Sequence, residues 1–294
     1  MTDTSDIAHS GLSEVIAAGA QRLPLILASP HSGCRYPPEF LAQSRLDSRA
    51  LRKSEDCYVD ELFAVAPRLG APMLRAHFPR IYVDPNREPF ELDPHMFAER
   101  LPDYVNANSP RVSAGLGTIP RLAAGGEEIY GGKLAFADAL RRIESCYQPY
   151  HALLKDLIDA TVSRFGFCIL LDCHSMPPIG GPTEPDAGRR RVDFVLGDCF
   201  GTSCAAALTD CVESRLVGME YTVRRNAPYS GGFTTRHYGR PPEGIHVLQI
   251  EINRALYMDP ETLTKRRSFA TLTGAMANLV ESVAKLSPEL LREP

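Results

Sequence analysis

Short apolar runs that recur between helical stretches are the feature that most restricts how this chain folds. The runs are LPLILAS at 23–29, FCILL at 167–171 and HVLQIEI at 246–252. Each has the length of a buried strand and is followed or preceded by Pro, Gly or polar residues. Apolar residues at helical spacing, such as those from Val59 to Ala66, separate the runs. Strands that alternate with helices predict an α/β fold with helices on both faces of the sheet.

Local patterns predict further elements of secondary structure. Residues 1–22 are expected to form a lead-in with a short helix near Leu12–Ala18. Ser54 has the residue type of a helix N-cap, and Gly70 suits the end of the helix that follows. The segment Arg80–Asp84 (RIYVD) is predicted to be a short strand.

The stretch from about Phe90 to Tyr130 lacks periodicity and is rich in Pro, Gly, Asn and Arg. A long irregular segment inside a compact enzyme is typical of an active-site wall. No repeat, low-complexity tract or change in composition divides the chain. We therefore predict one domain over residues 23–294, with its functional side chains gathered at the carboxyl ends of the strands.

Charge and cysteine content narrow the classes of function. The chain has 294 residues, a net charge of -4 and no long basic run, so we expect no nucleic-acid partner. No apolar run is long enough to span a bilayer, so we expect no membrane partner. The polar N-terminus lacks the pattern of a signal peptide, and the eight cysteines include no Cys-x-x-Cys pair. Together these features predict a cytoplasmic protein with reduced thiols.

Three side chains suited to metal chemistry lie where the apolar runs end. His31 follows LILASP, His174 follows FCILLDC, and Glu251 lies within LQIEIN. Imidazole and carboxylate groups are the usual ligands of catalytic zinc, and three protein ligands leave a position for water. A nearby glutamate is suited to accept the proton of that water. A single histidine after a strand is more often structural, and spacing alone leaves a metal site about as probable as not.

The residue pattern alone leaves the third metal ligand open. Glu55 and Asp56 both stand at the start of the predicted helix, and either carboxylate has the reach to meet the sheet edge. Acids in a first helical turn are also favoured by the helix dipole, which is a purely structural explanation. On the helical wheel Glu55 lies nearer the centre of the apolar stripe and Asp56 nearer its border, so the wheel does not decide.

Several arginines lie beside the predicted strand ends and glycine loops: Arg80, Arg87, Arg236, Arg240 and Arg254. Guanidinium groups bind carboxylates in a bidentate manner. Any one of these arginines alone is more often a surface or structural residue, but several near one edge indicate a small anionic substrate. The motifs of other chemistries are missing, since the sequence has no phosphate loop, no Gly-x-Ser-x-Gly elbow and no signature of a cysteine nucleophile.

An ordered set of short motifs runs over roughly residues 25–260. The motifs are SPHSG at 29–33, SEDCYVD at 54–60, RIYVDPNR at 80–87, DCHS at 172–175, a GGxxTRHYG core within 226–240 and LQIEINR at 248–254. Each motif is weak alone, but in this order the set resembles the N-formylglutamate amidohydrolase family. That family is similar to zinc carboxypeptidases and aminoacyl deacylases.

The resemblance implies a fold and a reaction. The implied fold is a single α/β domain with a mixed, mainly parallel sheet between helices, of the phosphorylase/hydrolase-like type of the zinc carboxypeptidases. The implied reaction is hydrolysis of N-formyl-L-glutamate to glutamate and formate, a late step of one histidine-degradation route. Residues 23–294 would then be the catalytic domain.

The resemblance also implies a metal site with one zinc ion. Carried over position by position, His31, Asp56 and His174 become the zinc ligands. The position that matches the acid of the family motif is Asp56 rather than Glu55. Glu251 becomes the general base and general acid.

The remaining carry-over concerns the substrate. Arg80 is expected to stabilise the oxyanion, and the pair Asn86–Arg87 to hold a substrate carboxylate, as a similar pair does in the carboxypeptidases. Three residues are expected to complete the substrate pocket: Asn226, Arg236 and His237. One position departs from the carboxypeptidases, which place an acidic ligand three residues after the first histidine, where this chain has Cys34.

Other functions remain compatible with these residues. An amidase for a different N-acyl amino acid or a short peptide would carry the same motifs. A non-catalytic metal-binding or regulatory protein would keep the scaffold, and an unrelated α/β protein with structural histidines would bind no stoichiometric metal. The sequence fixes neither the acyl group, the amino acid, the native metal nor the oligomeric state.

Overall fold

A computed structural model describes residues 11–17, 19–181 and 184–291 of the chain. Its main sheet contains strands β1 (Ser13–Ile16), β2 (Leu25–Ser29), β3 (Met73–Ala76), β4 (Cys168–Met176), β5 (Phe194–Gly197), β6 (Val223–Arg225) and β7 (Ile245–Asn253). The order of these strands across the sheet is β1-β3-β2-β4-β7-β5-β6. A separate two-stranded sheet consists of β8 (Met258–Asp259) and β9 (Thr264–Lys265).

Parallel pairing at the centre and antiparallel pairing towards the flanks make the main sheet mixed. The strands β3, β2, β4 and β7 run parallel, whereas β1 is antiparallel to β3 and β5 is antiparallel to β7. Strands β4 and β7 pair along nine residues each, and all of these residues are buried. Parallel strands covered on both faces have nearly continuous apolar sequences. The predicted α/β fold with a mainly parallel sheet is therefore confirmed.

Helices cover both faces of the sheet. The α-helices of the described residues are α1 (Pro38–Gln43), α2 (Ser48–Arg52), α3 (Val59–Leu62), α4 (Ala66–Leu69), α5 (Pro110–Ser113), α6 (Phe136–Arg142), α7 (Gln148–Phe165), α8 (Ala206–Gly218), α9 (Phe233–Tyr238) and α10 (Phe269–Val283). Helices α3, α4, α8 and α10 contribute to the apolar layer on one face. Helices α1, α6 and α7 contribute to the layer on the other face. Within the described ranges, no helix combines the length and apolar character needed to cross a membrane.

The alternation of side chains along β4 and β7 decides which face carries the polar groups. Leu170 packs into the layer that contains α7. Because successive side chains of a strand point to opposite faces, Asp172 and His174 point to the same face as Leu170. The same alternation on β7 places Gln249 and Glu251 on this face, and His174 is directly paired with Glu251 in the register. The carboxyl halves of the two central strands thus present polar side chains on one face.

The helix predicted near Leu12–Ala18 is wrong where the structure describes it. Residues Ser13–Ile16 form the edge strand β1, which pairs in antiparallel register with Met73–Ala76. Sheet pairing supplies backbone partners that a short isolated helix lacks, so tertiary contacts decide the structure here. Ala18 and residues 1–10 of the predicted lead-in lie outside the described residues.

Two further local predictions are corrected. The segment Arg80–Asp84 is a turn rather than a strand, because the Tyr82 N–H donates to the carbonyl of Pro79 (2.9 Å). Ser54 is not a helix N-cap, since helix α3 begins only at Val59 and the Ser54 hydroxyl instead accepts a bond from a distant backbone N–H. In both places the chain turns so that acidic side chains reach the sheet edge.

Candidate active site

Three side chains meet at the carboxyl ends of β2 and β4, and we call them the cradle: His31, Asp56 and His174. The Nδ1 atoms of the two histidines are 3.1 Å apart. Oδ2 of Asp56 lies 3.3 Å from Nδ1 of His31 and 3.2 Å from Nδ1 of His174. All three residues are at most 2 % exposed. The cradle therefore brings two imidazole nitrogens and one carboxylate oxygen into a small buried triangle.

Backbone geometry places Asp56, and not Glu55, in the cradle. The N–H of Asp56 donates to the carbonyl of His31 (2.9 Å), which fixes the turn before α3 against the end of β2. The carboxylate of Glu55 points elsewhere and accepts bonds from the Tyr36 hydroxyl (2.7 Å) and from Arg52. Of the two carboxylates that the sequence pattern left open, Asp56 is the one that lies beside both histidines.

A second carboxylate stands behind each histidine. Nε2 of His31 lies 2.8 Å from Oδ1 of Asp84, and Nε2 of His174 lies 3.0 Å from Oδ2 of Asp172. A carboxylate at Nε2 favours the tautomer with the proton on Nε2 and the lone pair on Nδ1, which is the arrangement of metal-bound histidines. Burial opposes the ionisation of Asp84, but the neighbouring Arg87, His31 and Arg80 hold its pKa well below the usual range.

The remaining oxygen of Asp56 is held on the opposite side. Oδ1 accepts from Arg254 (2.9 Å) and from the Ser175 hydroxyl (3.2 Å), and Arg80 lies 4.0 Å away. Burial by itself would raise the pKa of Asp56, but hydrogen bonds from His174 and His31 and the charge of Arg80 hold the pKa well below its usual range. These contacts keep Asp56 ionised and turn Oδ2 towards the histidines.

The cradle fits a divalent metal ion. A tetrahedral zinc with nitrogen and oxygen ligands at about 2.0–2.1 Å requires neighbouring ligand atoms to be about 3.3 Å apart. The three cradle distances of 3.1, 3.2 and 3.3 Å agree with that spacing. The local field favours a cation as well, since Asp172 and Asp56 outweigh burial and hold the pKa of His174 well above its usual value. His31, Asp56 and His174 could therefore hold a metal ion.

Glu251 lies beside the cradle on the adjacent strand β7. Its Oε1 accepts a hydrogen bond from Nε2 of Gln249 (2.8 Å), and Oε1 of Gln249 accepts from the backbone N–H of Gly232 (2.6 Å). Burial, which outweighs the nearby positive charges, raises the pKa of Glu251 to about 7. A carboxylate with a pKa near neutrality is well suited to take up a proton and release it.

A cavity of about 500 Å³ opens in front of the cradle. Its walls include residues from the irregular segment, among them Arg111, Leu116 and Leu122, and residues of the glycine loop at 228–232. The prediction that the segment from Phe90 to Tyr130 forms a wall of the site is thus confirmed. The cavity has the size of a site for a small molecule.

Three of the predicted substrate residues line this cavity but already have protein partners. Arg80 donates to Oδ2 of Asp84 (2.9 Å). Oδ1 of Asn86 accepts from the N–H of Thr234 (2.9 Å), which holds α9 against the site. Arg87 donates to two backbone carbonyls, and burial lowers its pKa to about 10. These side chains shape the floor of the cavity close to the cradle.

Of the other three predicted pocket residues, one lines the cavity and two do not. Arg236 lines the cavity and donates to the carbonyl of Gly231 (3.0 Å). Asn226 is not among the cavity-lining residues, and its amide binds Asp198 (2.8 Å). His237 is also absent from the lining, and its exposed ring stacks on Phe233 with ring centroids 4.7 Å apart.

Sequence reasoning missed four residues with a place in the site. Asp84 and Asp172 lie inside the motifs that were singled out, and each contacts a histidine of the cradle. Gln249 stands two residues before Glu251, so the strand period was a signal that both point to one face. Arg111 lies in the irregular segment, where no periodicity indicates the direction of a side chain.

Comparisons with known proteins agree with this geometry. A family model described as N-formylglutamate amidohydrolase matches residues 23–258. A protein named N-formylglutamate deformylase from Pseudomonas aeruginosa is 30% identical over 277 residues, which cover 92% of this chain and 97% of that protein. A protein of the same name from Pseudomonas putida is 28% identical over 274 residues, which cover 89% and 92% of the two chains.

A solved structure gives the same result for the fold. The crystal structure of N-formylglutamate amidohydrolase from Ralstonia eutropha JMP134 is 37% identical to this chain and superposes with a TM-score of 0.85. The match covers 96% of this chain and 98% of the other. The likeness in fold thus extends over nearly the whole of both chains.

Proposed function

This chain belongs to the N-formylglutamate amidohydrolase family, and we propose that it hydrolyses N-formyl-L-glutamate to L-glutamate and formate with one zinc ion. The names of its relatives indicate a hydrolase that acts on an amide C–N bond. The single observation that carries the proposal is the cradle, whose three ligand atoms lie within 3.3 Å of one another. Glu251 on the paired strand supplies the acid–base group that such a hydrolysis requires.

The proposed metal ligands are His31, Asp56 and His174. A zinc ion bound by them would supply Lewis acidity to the amide carbonyl and would lower the pKa of a water molecule. Glu251 accepts the proton of the attacking water and then delivers it to the nitrogen of the leaving amine. Burial serves both steps, because a pKa of about 7 makes Glu251 a base before the attack and an acid after it.

Arginines around the cradle complete the proposed chemistry. Arg80 stabilises the negative charge that develops on the acyl oxygen, since Asp84 holds its guanidinium beside the cradle. Asn86 and Arg87 form the floor that faces the α-carboxylate of the substrate, and Arg236 lines the wall farther from that floor. We assign no direct substrate contact to Asn226 or His237, because neither lines the cavity.

Broader features of the proposal follow from the sequence. We propose that residues 23–294 act as one catalytic domain, that the substrate is a small anion and that the enzyme works in the cytoplasm. Its reaction would belong to a route of histidine degradation. An N-acyl amino acid other than N-formylglutamate is the main alternative substrate. The family motifs specify the type of reaction more closely than they specify which substrate the pocket binds.

Metal analysis combined with a formate assay tests the proposal. We expect one zinc per chain and equal amounts of formate and glutamate from N-formyl-L-glutamate, with slower release from the aspartate analogue. A chelator should abolish the release, and added zinc should restore it. Bound zinc without hydrolysis of any N-acyl amino acid would favour a non-catalytic protein, and a purified protein that binds no metal would reject the metal site.

A further inference from the structure

Arg111 is a charged side chain of the cavity for which the proposed mechanism has no use. It stands in helix α5 and lines the cavity in front of the cradle. Among the residues that the structure describes, none lies within hydrogen-bonding or salt-bridge distance of its guanidinium, which interacts only with more distant charges. Its backbone carbonyl accepts a bond from Leu116, so the local turn depends on the backbone and not on the side chain.

The surroundings of Arg111 disfavour its charge. The residue is only partly exposed, and moving a guanidinium out of water without giving it a new acceptor costs free energy. The positive charge of Arg236 lies close enough to add repulsion. Burial and Arg236 together lower the pKa of Arg111, although Asp84 and Glu91 act in the opposite direction. An anion between the two arginines would remove this penalty.

The other arginines of the cavity differ from this pair. Arg80 and Arg254 are bonded to Asp84 and Asp56, respectively, at 2.9 Å. Arg87 is held by two backbone carbonyls. In the described part of the cavity, Arg111 and Arg236 are the arginines without a carboxylate partner, since the recorded bond of Arg236 is to a backbone carbonyl.

We propose that Arg111, together with Arg236, binds the side-chain carboxylate of the substrate and thereby selects acidic N-acyl amino acids. This inference rests on the proposed function and adds the residue that would determine specificity. The α-carboxylate is attached to the carbon that bears the amide nitrogen, so it stays near the floor formed by Asn86 and Arg87. The side-chain carboxylate of glutamate lies farther along the chain and reaches the wall, where α5 and α9 present the two guanidiniums. Each guanidinium offers paired N–H donors in a planar fork that matches the two oxygens of a carboxylate.

A matched pair of substrates isolates this contact. N-formyl-L-glutamine keeps the α-carboxylate and the amide of N-formyl-L-glutamate but replaces the side-chain carboxylate by a neutral group of the same shape. We expect Arg111→Ala to lower kcat/KM for the glutamate substrate by about 10- to 100-fold. The value for the glutamine substrate should change less than about threefold. Arg111→Lys should recover only part of the loss, because a lysine keeps the charge without the fork.

Controls separate recognition from folding. Arg100→Ala serves as the matched control, since Arg100 lies in the same irregular segment and pairs with Asp103 at the surface. That variant should keep the wild-type preference between the two substrates. If Arg111→Ala lowers kcat/KM equally for both substrates, the side chain does not bind the side-chain carboxylate and the inference is rejected.

Ligand binding without turnover distinguishes a failure of this inference from a failure of the proposed function. Calorimetry on the zinc-loaded protein would compare glutarate, which carries two carboxylates, with butyrate, which carries one. We expect glutarate to bind the wild type at least tenfold more tightly than butyrate, and Arg111→Ala to remove that difference. An Arg111-dependent preference for glutarate in a protein that does not hydrolyse N-formylglutamate would reject the proposed function and keep the anion site. A wild type without the preference would reject the anion site.

Discussion

The sheet edge around the cradle and the outer wall of the cavity hold their charges in different ways. At the carboxyl ends of the central strands, Asp56 and Asp84 each contact several protein partners, among them Arg254 and Ser175 for Asp56 and His31 and Arg80 for Asp84. On the outer wall, Arg111 and Arg236 have no carboxylate partner among the described residues. The groups around the cradle are therefore preorganised before any substrate binds. The guanidinium groups of the wall keep hydrogen-bond donors that are available to a substrate.

This difference indicates that the two regions have different functions, with chemistry at the strand ends and substrate selection at the wall. Groups that are fixed on strands keep the geometry that proton transfer and metal binding require, because their rotamers are locked by burial and by neighbouring hydrogen bonds. Groups on irregular segments vary more easily and commonly set substrate choice. Changes at the sheet edge should therefore alter kcat or metal affinity, whereas changes on the wall should alter KM and substrate preference.

The largest effect is expected from Glu251→Gln. The amide cannot accept a proton, so kcat should fall by about 10²- to 10⁴-fold. Zinc should stay bound, because Glu251 is not part of the cradle. Steady-state kinetics on N-formyl-L-glutamate and metal analysis of the same sample measure the two quantities together.

Glu243→Gln provides the control for that variant. Glu243 lies at the surface, where it pairs with Arg240, and should be replaceable without loss of turnover. Near-normal kcat in Glu251→Gln would contradict the assignment of Glu251 as the proton carrier. Loss of zinc would instead show that Glu251 also contributes to metal binding. The assignment of zinc binding to the cradle alone would then be wrong.

The fold was predictable from the sequence where burial is complete. Strands β2, β4 and β7 are covered on both faces, so their apolar runs stand out from the helices around them. The edge strand β1 has only four residues with a mixed pattern, and its structure depends on pairing with β3, which no local pattern records. The turn at Arg80–Asp84 was mistaken for a strand because its buried apolar residues face the core without belonging to the sheet.

The candidate site was predictable to the extent that it lies on strands. The positions of His174 and Glu251 follow from strand ends and from the period of two, and the structure brings His174 beside His31 and Glu251 beside His174. The choice between Glu55 and Asp56 needed the actual turn, because a helical wheel does not apply to a segment that is not helical. Arg111 was missed for the same reason, since its direction depends on an irregular wall.

A smaller effect is expected from Asp172→Asn, which weakens the support behind His174. Asp172 is fully buried and contacts Nε2 of His174 (3.0 Å), so the amide should lower the affinity for zinc by about 10- to 100-fold. Competition with a chelator of known affinity measures this change. Activity should return at saturating zinc, because the cradle atoms themselves are unchanged.

The exposed Asp103→Asn serves as the control for Asp172→Asn, because it removes a carboxylate of the wall segment without touching the cradle. Unchanged zinc affinity in Asp172→Asn would show that the carboxylate behind His174 does not tune the metal site. A loss of activity that zinc does not restore would place Asp172 in the chemistry itself.

The smallest effect is expected from Arg236→Ala, and it separates the two regions most directly. Arg236 is exposed at the cavity mouth, and exposed charge pairs contribute at most about 1 kcal/mol, so KM should rise about twofold to fivefold. The kcat value and the zinc content should stay at wild-type values, since no cradle residue contacts this side chain within the described chain. Raised ionic strength should reduce the difference in KM, because salt screens exposed charges. A fall in kcat of more than tenfold at unchanged KM would break the comparison, since the wall would then contribute to the chemical step as the sheet edge does.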